Sequence, residues 1–183
     1  MEYLQLMSSN LTSFKGVFPT LGKRNYIDIN TVICGDVKFG DDCSVWPFVA
    51  IRGDVNYIRI GHRSNIQDGS VLHVTRKSEK NPAGNPLLIG DDVTIGHKVM
   101  LHGCTLGSRI LVGMGAIIMD GAIVNDDVFI GAGTLVPPNK ELESGYLYVG
   151  NPMRKTRLLT DDERAFLSQS AINYVTLKED YLA

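Results

Sequence analysis

The sequence predicts an all-β fold, a single-stranded parallel β-helix of hexapeptide repeats with about five coils and one α-helix packed alongside. Aliphatic residues recur at every sixth position, glycine often follows them, and a final segment has helical spacing instead. A period of six fits neither the 3.6-residue period of an α-helix nor the two-residue alternation of a free strand. It fits short strands joined by turns, with three hexads to a triangular coil and a core shared between stacked coils.

The repeat runs through most of the chain, with two shifts of phase and one interruption. Its inward positions are Ile33, Phe39, Val45 and Ile51, then Ile60, Ile66 and Leu72, then Ile89, Ile95 and Leu101, and finally Leu106, Val112, Ile118, Val124, Ile130 and Val136. Extra residues precede Ile60, and one residue is missing before Leu106. The polar, turn-rich segment 75–86 interrupts the pattern and is predicted to leave the prism as an excursion loop.

The C-terminal segment departs from the repeat. Thr160 and Glu163 form a capping-box pattern, which predicts the start of a helix. The residues at helical spacing that follow are Phe166, Leu167, Ser170, Ala171, Tyr174, Leu177, Tyr181 and Leu182. We therefore expect a β-helix domain over 1–157, including an N-terminal lead-in, and an amphipathic helix over 158–183 on its side.

The composition narrows the function classes. The net charge is −2 and the charged residues are spread along the chain, which argues against nucleic-acid and membrane-surface partners. Three cysteines without a CxxC pair predict buried thiols rather than a disulfide framework. The sequence shows neither a secretion signal at its start nor a run of about 20 apolar residues. We expect a cytoplasmic protein with a small-molecule substrate.

Three of the four histidines fall at related positions of the repeat. Residues three hexads apart lie one coil apart on the same face, about 4.8 Å from each other. His73 and His102 each follow the inward residue of one face, so they are predicted to stack. His97, with Gln67 and Asp68, falls on a neighbouring face. Because a second chain would have to supply His97, the pattern predicts a homotrimer with metal sites between its subunits.

Three imidazoles with one open position are the usual ligands of catalytic zinc. Zinc lowers the pKa of its bound water to about 7, which gives a hydroxide nucleophile for a small electrophile such as CO2. Arg52 shares the face of the histidine pair and could orient bicarbonate, while Asp54 could pair with Arg52 or with a neighbouring subunit's arginine. Gln67 could hydrogen-bond the metal-bound water, and Asp68 is a further candidate for the anion site or the interface. The alternatives are scattered surface histidines and an interfacial salt bridge without chemistry.

Four stretches resemble the γ-class carbonic anhydrases, in particular their compact bacterial branch. They are residues 51–54 (IRGD), 63–73 (RSNIQDGSVLH), 95–104 (IGHKVMLHGC) and 144–152 (SGYLYVGNP). This resemblance covers nearly the whole chain. It implies a homotrimer of left-handed β-helices with Zn2+, or else Fe2+ or Co2+, between subunits. It also implies that Arg52 and Asp54 lie at the interface, Gln67 near the metal water and Tyr146 close to the site.

Two departures from the γ-class pattern concern proton transfer. Val55 and Arg76 stand where the well-studied members carry glutamates, the second of which shuttles protons. Because a proton must leave the site in every cycle, their loss predicts slow hydration. Three hypotheses follow: a zinc lyase that hydrates CO2, a metal- or anion-binding protein without turnover, and an acyltransferase like many hexapeptide-repeat proteins. The acyltransferase hypothesis requires a catalytic histidine that is free of metal.

Overall fold

The computed structural model describes residues 10–183, so the first nine residues of the predicted lead-in lie outside the described residues. The elements follow in chain order: β1 (Leu11–Thr12), β2 (Tyr26–Ile27), β3 (Val32–Phe39), β4 (Ser44–Val45), β5 (Ala50–Ile60), β6 (Asn65–Ile66), β7 (Val71–His73), β8 (Leu87–Ile89), β9 (Thr94–Ile95), β10 (Met100–His102), β11 (Thr105–Leu106), β12 (Leu111–Val112), β13 (Ile117–Ile118), β14 (Ile123–Val124), β15 (Phe129–Ile130), β16 (Leu135–Val136), β17 (Glu141–Leu142), β18 (Tyr146–Val149), β19 (Arg154–Leu158) and the helix α1 (Asp161–Leu182).

The strands stack into three faces of a parallel β-solenoid, which we call faces A, B and C. Face A contains β1, the first half of β3, the first half of β5, and then β7, β10, β13 and β16. Face B contains the second halves of β3 and β5, followed by β8, β11, β14 and β17. Face C contains β2, β4, β6, β9, β12, β15 and β18. The strand β19 then pairs antiparallel with β18 and ends the solenoid.

The solenoid has about eight turns, more than the five that the repeat count predicted. The aliphatic repeat ends at Val136, whereas Leu142 and Tyr148 continue the same spacing as buried residues. At the other end, Ile27 pairs with β4 and Thr20 pairs with β3, although few aliphatic residues mark this stretch. A coil can therefore form by pairing with its neighbour even where its own repeat signal is weak.

The core is a continuous column of aliphatic side chains inside the prism. On face A, Ile33, Ile51 and Leu72 stack in register and are at most 1% exposed. Burying each such side chain is worth roughly 1.5–3 kcal/mol. The thiols of Cys43 and Cys104 are buried as predicted, whereas Cys34 is only partly buried. Burial raises the pKa of Cys43 to about 11.

Glycine is required where neighbouring coils approach closely. A Cβ atom on Gly96 would lie 2.8 Å from the backbone oxygen of Val112 and 2.9 Å from the backbone nitrogen of Met114. Such contacts are sterically forbidden, so a larger residue at position 96 would push two coils apart. The glycine positions of the repeat thus follow from coil stacking.

The helix α1 begins at its predicted capping box. The Oγ1 atom of Thr160 accepts a hydrogen bond from the Glu163 backbone nitrogen at 3.2 Å, and Glu163 Oε2 accepts one from the Thr160 nitrogen at 2.9 Å. The helix packs on face C against β2, β4 and β9. No helix within residues 10–183 is long and apolar enough to cross a membrane.

The buried stripe of α1 is narrower than its sequence pattern predicted. It consists of Leu167, Ser170, Ala171 and Lys178. Phe166 and Leu177 are exposed. Lys178 is buried instead, because its ammonium group pairs with Asp42 at 3.3 Å.

The interruption after β7 forms a compact excursion. Thr75 and Asn85 pair across its base, and the Asn56 side chain donates hydrogen bonds to the backbone oxygens of Thr75 and Ala83. The two ends of the loop are therefore held together by hydrogen bonds where it leaves the prism, shortly after His73.

Candidate metal centre

His73 and His102 lie side by side on face A. The strands β7 and β10 pair in parallel, and their register places His102 opposite His73. The Nδ1 atom of His73 lies 3.1 Å from Nε2 of His102. The predicted stack is confirmed, and Arg52 belongs to the same column because Ile51 pairs with Leu72.

His97 lies on a different part of the solenoid. It follows β9 on face C, and its Nδ1 atom is 3.0 Å from Oδ2 of Asp68, which follows the adjacent strand β6. The predicted grouping of His97 with Asp68 is confirmed. Within residues 10–183, no three histidine, cysteine or carboxylate side chains come close enough to hold a metal ion. The three histidines therefore do not meet within one chain.

Each of the three histidines is backed by a carboxylate. Oδ1 of Asp54 lies 3.0 Å from Nε2 of His73, and Oδ1 of Asp120 lies 3.0 Å from Nδ1 of His102. The contact with Asp68 backs His97 in the same way. Metal-binding histidines usually have such a partner on the second ring nitrogen, because it fixes the ring orientation and the tautomer.

Asp120 is a candidate site residue that the sequence did not predict. It lies on the next coil, one residue beyond Met119, because Leu101 pairs with Ile118 there. It also accepts a hydrogen bond from the Thr75 hydroxyl at the base of the excursion. The histidine column continues at Met119, which follows the inward residue Ile118, so Asp120 falls one residue outside the column and counting along the repeat does not point to it.

The protonation states suit metal binding. Burial lowers the pKa of His73, even though Asp54 favours its charged form, so the ring is neutral at neutral pH. Burial opposes ionisation of Asp54, but hydrogen bonds from Arg52 and His73 outweigh it and lower the pKa of Asp54 to about 2. Burial also opposes ionisation of Asp120, whose pKa is nevertheless lowered by the hydrogen bonds it accepts. A neutral imidazole with ionised carboxylates behind it is the state that a metal requires.

The donor set fits a divalent metal ion. Two nitrogen ligands about 2.0 Å from a tetrahedral zinc ion are separated by about 3.3 Å, and the His73 and His102 nitrogens are 3.1 Å apart. His97 keeps its Nε2 atom for a ligand, since Nδ1 faces Asp68. One chain therefore presents two candidate ligands on face A and a third candidate separately at the edge of face C.

A pocket of about 310 Å³ lies between α1 and face C, beside His97. Its lining includes Gln67, Met114, Phe166, Asn173 and Tyr174. The predicted position of Gln67 close to His97 agrees with this arrangement. The sequence did not predict Asn173 and Tyr174 at this pocket, because only the docking of α1 on the solenoid brings them there.

Tyr146 and His62 lie away from the histidines. Tyr146 begins β18, three strands along face C from β9, which is about 14 Å at the usual strand spacing. Its ring packs under the Lys155 ammonium at 3.7 Å. One chain therefore does not bring Tyr146 to the site, and its role stays a prediction. His62 is exposed, as expected, and its Nδ1 accepts a hydrogen bond from the Asp41 backbone nitrogen at 3.0 Å.

Comparisons with known proteins identify the family. Protein YrdA from Escherichia coli is 61% identical over 176 residues, which is 96% of each chain. A probable carbonic anhydrase from Methanocaldococcus jannaschii is 43% identical over 159 residues, covering 87% of this chain and 96% of the relative. The chain belongs to the γ-class carbonic anhydrase family. No family model matches it.

The same fold occurs in the crystal structure of a hexapeptide transferase family protein from Anaplasma phagocytophilum. The TM-score is 0.87 at 38% identity, and the match covers 93% of this chain and 97% of the other. The γ-class relatives that are named carbonic anhydrases, at about 40% identity, imply a metal cofactor. This agrees with the chemistry of the three histidines and their carboxylates.

The two residues that depart from the γ-class pattern line one groove beside Asp54. The groove has a volume of about 650 Å³, and Val55 and Arg76 both contribute to its wall. Val55 packs against the core, whereas Arg76 is exposed. Valine and arginine carry no carboxylate, so these two positions offer none for proton export.

Proposed function

We propose that this protein is a homotrimeric, metal-dependent enzyme of the carbonic anhydrase type that interconverts CO2 and bicarbonate. One observation carries the proposal: His73 and His102 are stacked side by side on face A, and His97 contacts Asp68 separately on face C. When bound, Zn2+, or else Fe2+ or Co2+, would supply an activated water at neutral pH.

An exposed aliphatic ladder on face A supports the trimer. The ladder consists of Val32, Val71, Met100 and Ile117, which are 39–57% exposed. Met100 pairs with Val71 on one side and with Ile117 on the other, so the surface is contiguous. A contiguous apolar surface beside half of a metal site is typical of a subunit interface. Around a threefold axis, each chain would then present His97 to the His73–His102 pair of its neighbour.

Arg52 and Gln67 are the groups that would meet the substrate. The Arg52 guanidinium is hydrogen-bonded to Asp54, yet the side chain remains 55% exposed. Its free donors can bind two oxygens of bicarbonate side by side. The Gln67 amide lines the pocket next to His97 and can hydrogen-bond water or bicarbonate.

Proton export is the weak step of the proposed reaction. Asp54 is the ionised carboxylate nearest to His73, but Arg52 and His73 hold its pKa at about 2. A group with such a low pKa is a poor proton acceptor at neutral pH. With Val55 and Arg76 in the groove, we expect slow turnover.

Metal analysis combined with stopped-flow CO2 hydration tests the proposal. We expect the purified trimer to contain one metal ion per chain, and the zinc- or iron-loaded form to hydrate CO2 slowly. The matched control is His62→Ala, which removes the fourth histidine and should leave the metal content unchanged. Less than one metal per three chains would refute the site. Full metal without hydration in either loaded form would favour a metal- or anion-binding protein without turnover.

A further inference from the structure

A buried chain of hydrogen bonds runs from α1 to Gln67. The hydroxyl of Ser170, on the inner side of α1, lies 3.0 Å from Oγ1 of Thr94. Nδ2 of Asn65 donates to Thr94 Oγ1 at 3.0 Å, and Nε2 of Gln67 donates to Asn65 Oδ1 at 3.1 Å. All four residues are at most 6% exposed. Four polar side chains are therefore connected in a place where an unpaired polar group would be costly.

The position of these residues follows from the packing of α1. On face C the outward side chains of paired strands lie next to each other, and Asn65 is in register with Thr94. Outward side chains of a solenoid normally face water. Here α1 covers them, so they must find partners among themselves and on the helix. Ser170 belongs to the narrow buried stripe of α1 and is the partner that the helix provides.

The chain of hydrogen bonds ends at the pocket beside His97. Gln67, Thr94 and Ser170 all line this pocket, together with apolar side chains such as Val112 and Phe166. Its volume of about 310 Å³ corresponds to about ten water molecules at ~30 Å³ each. CO2, bicarbonate and several waters would all fit.

We propose that Ser170, Thr94 and Asn65 are positioning residues, which fix the Gln67 amide so that its Oε1 acceptor faces the pocket. A glutamine amide has one donor end and one acceptor end. Because Nε2 donates to Asn65, Oε1 is left for the pocket. Gln67 then selects a ligand that offers a hydroxyl hydrogen, such as water or the protonated oxygen of bicarbonate. The assignment of that ligand rests on the proposed function, whereas the fixed amide does not.

Amide NMR on the metal-free protein tests the fixed amide directly. The sequence contains only three glutamines, Gln5, Gln67 and Gln169, so glutamine labelled with 15N in its side chain gives three resolvable NH2 groups. In the wild type we expect two widely separated, slowly exchanging proton signals for Gln67, assigned by their loss in Gln67→Glu. Removing the Thr94 hydroxyl in Thr94→Val should shift the two Gln67 signals to the positions of a solvent-exposed glutamine and accelerate their exchange with water at least tenfold.

Matched variants separate positioning from general damage. Thr94→Ser keeps the hydroxyl and should restore the wild-type Gln67 signals. Ser170→Ala should loosen Gln67 in the same direction as Thr94→Val, and it replaces the test if Thr94→Val fails to fold. Ser168→Ala makes the same chemical change on α1, at a position outside the buried stripe, and should leave Gln67 unchanged. Unchanged Gln67 signals in a folded Thr94→Val or Ser170→Ala protein would overturn the proposal.

Kinetics of the metal-loaded variants distinguish the two proposals. If CO2 is the substrate, Thr94→Val should lower kcat by about tenfold to a hundredfold at unchanged metal content, because a misplaced group weakens the reaction geometry. If no variant and no wild-type protein hydrates CO2 while the NMR result is as expected, the proposed function fails and the positioning of Gln67 stands. Normal hydration in a variant whose Gln67 amide is free would refute a role for the fixed amide in the reaction.

Discussion

Face A and face C share the same inward repeat, but their outward surfaces differ. On face A the outward side chains of adjacent strands are aliphatic and exposed, as at Val71 (40%) and Met100 (45%). On face C they are polar and buried beneath α1, as at Asn65 (1%) and Thr94 (3%). Exposure is thus the reverse of what polarity alone would predict.

The difference between the two faces shows that the inward and outward residues of the repeat have separate structural roles. The inward residues specify the solenoid, whereas the outward residues specify what covers each face. Face C is covered by the protein's own helix, and His97 lies at the edge of that cover. Face A carries His73 and His102 next to an uncovered apolar ladder. In our proposal a neighbouring subunit covers face A and completes the site.

The largest effect is expected from substitutions on face A that dissociate the proposed trimer. The double substitution Met100→Glu with Ile117→Glu places two carboxylates on the ladder without touching the core. Because unpaired charges are costly to bury, the dissociation constant of the trimer should rise by at least ~1,000-fold. Light scattering after gel filtration measures the mass. Ile123→Glu is the control, since Ile123 is an equally exposed outward aliphatic residue on face B. A trimeric double variant would show that face A is not the interface.

Placing carboxylates in the groove beside Asp54 tests whether proton transfer there limits the reaction. We expect Val55→Glu combined with Arg76→Glu to raise the CO2 hydration rate by about 100-fold, because general acid–base groups contribute on that order. Stopped-flow kinetics at low buffer concentration measures it. The control Lys77→Glu introduces a carboxylate in the same groove at a different position. An equal increase in Lys77→Glu would mean that groove charge, rather than these two positions, matters.

Two further substitutions each remove a carboxylate that contacts a histidine, one on face A and one on face C. They test whether both parts of the site contribute to metal affinity. Asp120→Ala on the His102 side and Asp68→Ala on the His97 side should each weaken metal affinity by about 10- to 100-fold. Competition with a chelator gives the affinities. Asp126→Ala removes a carboxylate that pairs with Arg109 instead, and it should leave metal binding intact. An effect confined to one half would mean that the carboxylate of the other half does not support metal binding.

The smallest expected effect concerns the anchor of α1 on face C. Arg157 and the Thr160 backbone lower the pKa of Glu163 to about 2. A lowered folded-state pKa adds stability that is fully present above the ordinary value of 4.5 and is lost as the pH falls toward 2. Glu163→Gln should therefore flatten the pH dependence of urea unfolding between these values. Asp162→Asn, in the same helical turn, should leave that slope nearly unchanged. A wild-type slope in Glu163→Gln would contradict the capping role.

The sequence predicted which histidines share a face of the solenoid better than it predicted the residues around them. Its period of six is enough to stack His73 on His102 and to separate His97, because coil register follows from counting. The turn count was too low, since pairing with a neighbour sustains coils whose own repeat is weak. Asp120 was missed because Met119, rather than Asp120, occupies the position of the histidine column on that coil.

The helix contribution could not be predicted in the same way. Amphipathic spacing placed Phe166 and Leu177 on the packed side of α1, but both are exposed. The pairing of Lys178 with Asp42 and of Ser170 with Thr94 sets the rotation of the helix instead. Such contacts join residues that are far apart in the sequence, so no local sequence pattern predicts them. Tyr174 enters the pocket for the same reason, while Tyr146 lies too far along the solenoid.

Mixed trimers provide the most direct test of a site shared between chains. His97→Ala and His102→Ala proteins should each fold and bind no metal at the site. Co-expressed with two different affinity tags and purified for both, they should form mixed trimers with one intact site each, in which one chain supplies His73 and His102 and the other supplies His97. We expect one metal ion per mixed trimer. Folded mixed trimers without metal would contradict the shared site, as would a His97→Ala protein that retains full metal by itself.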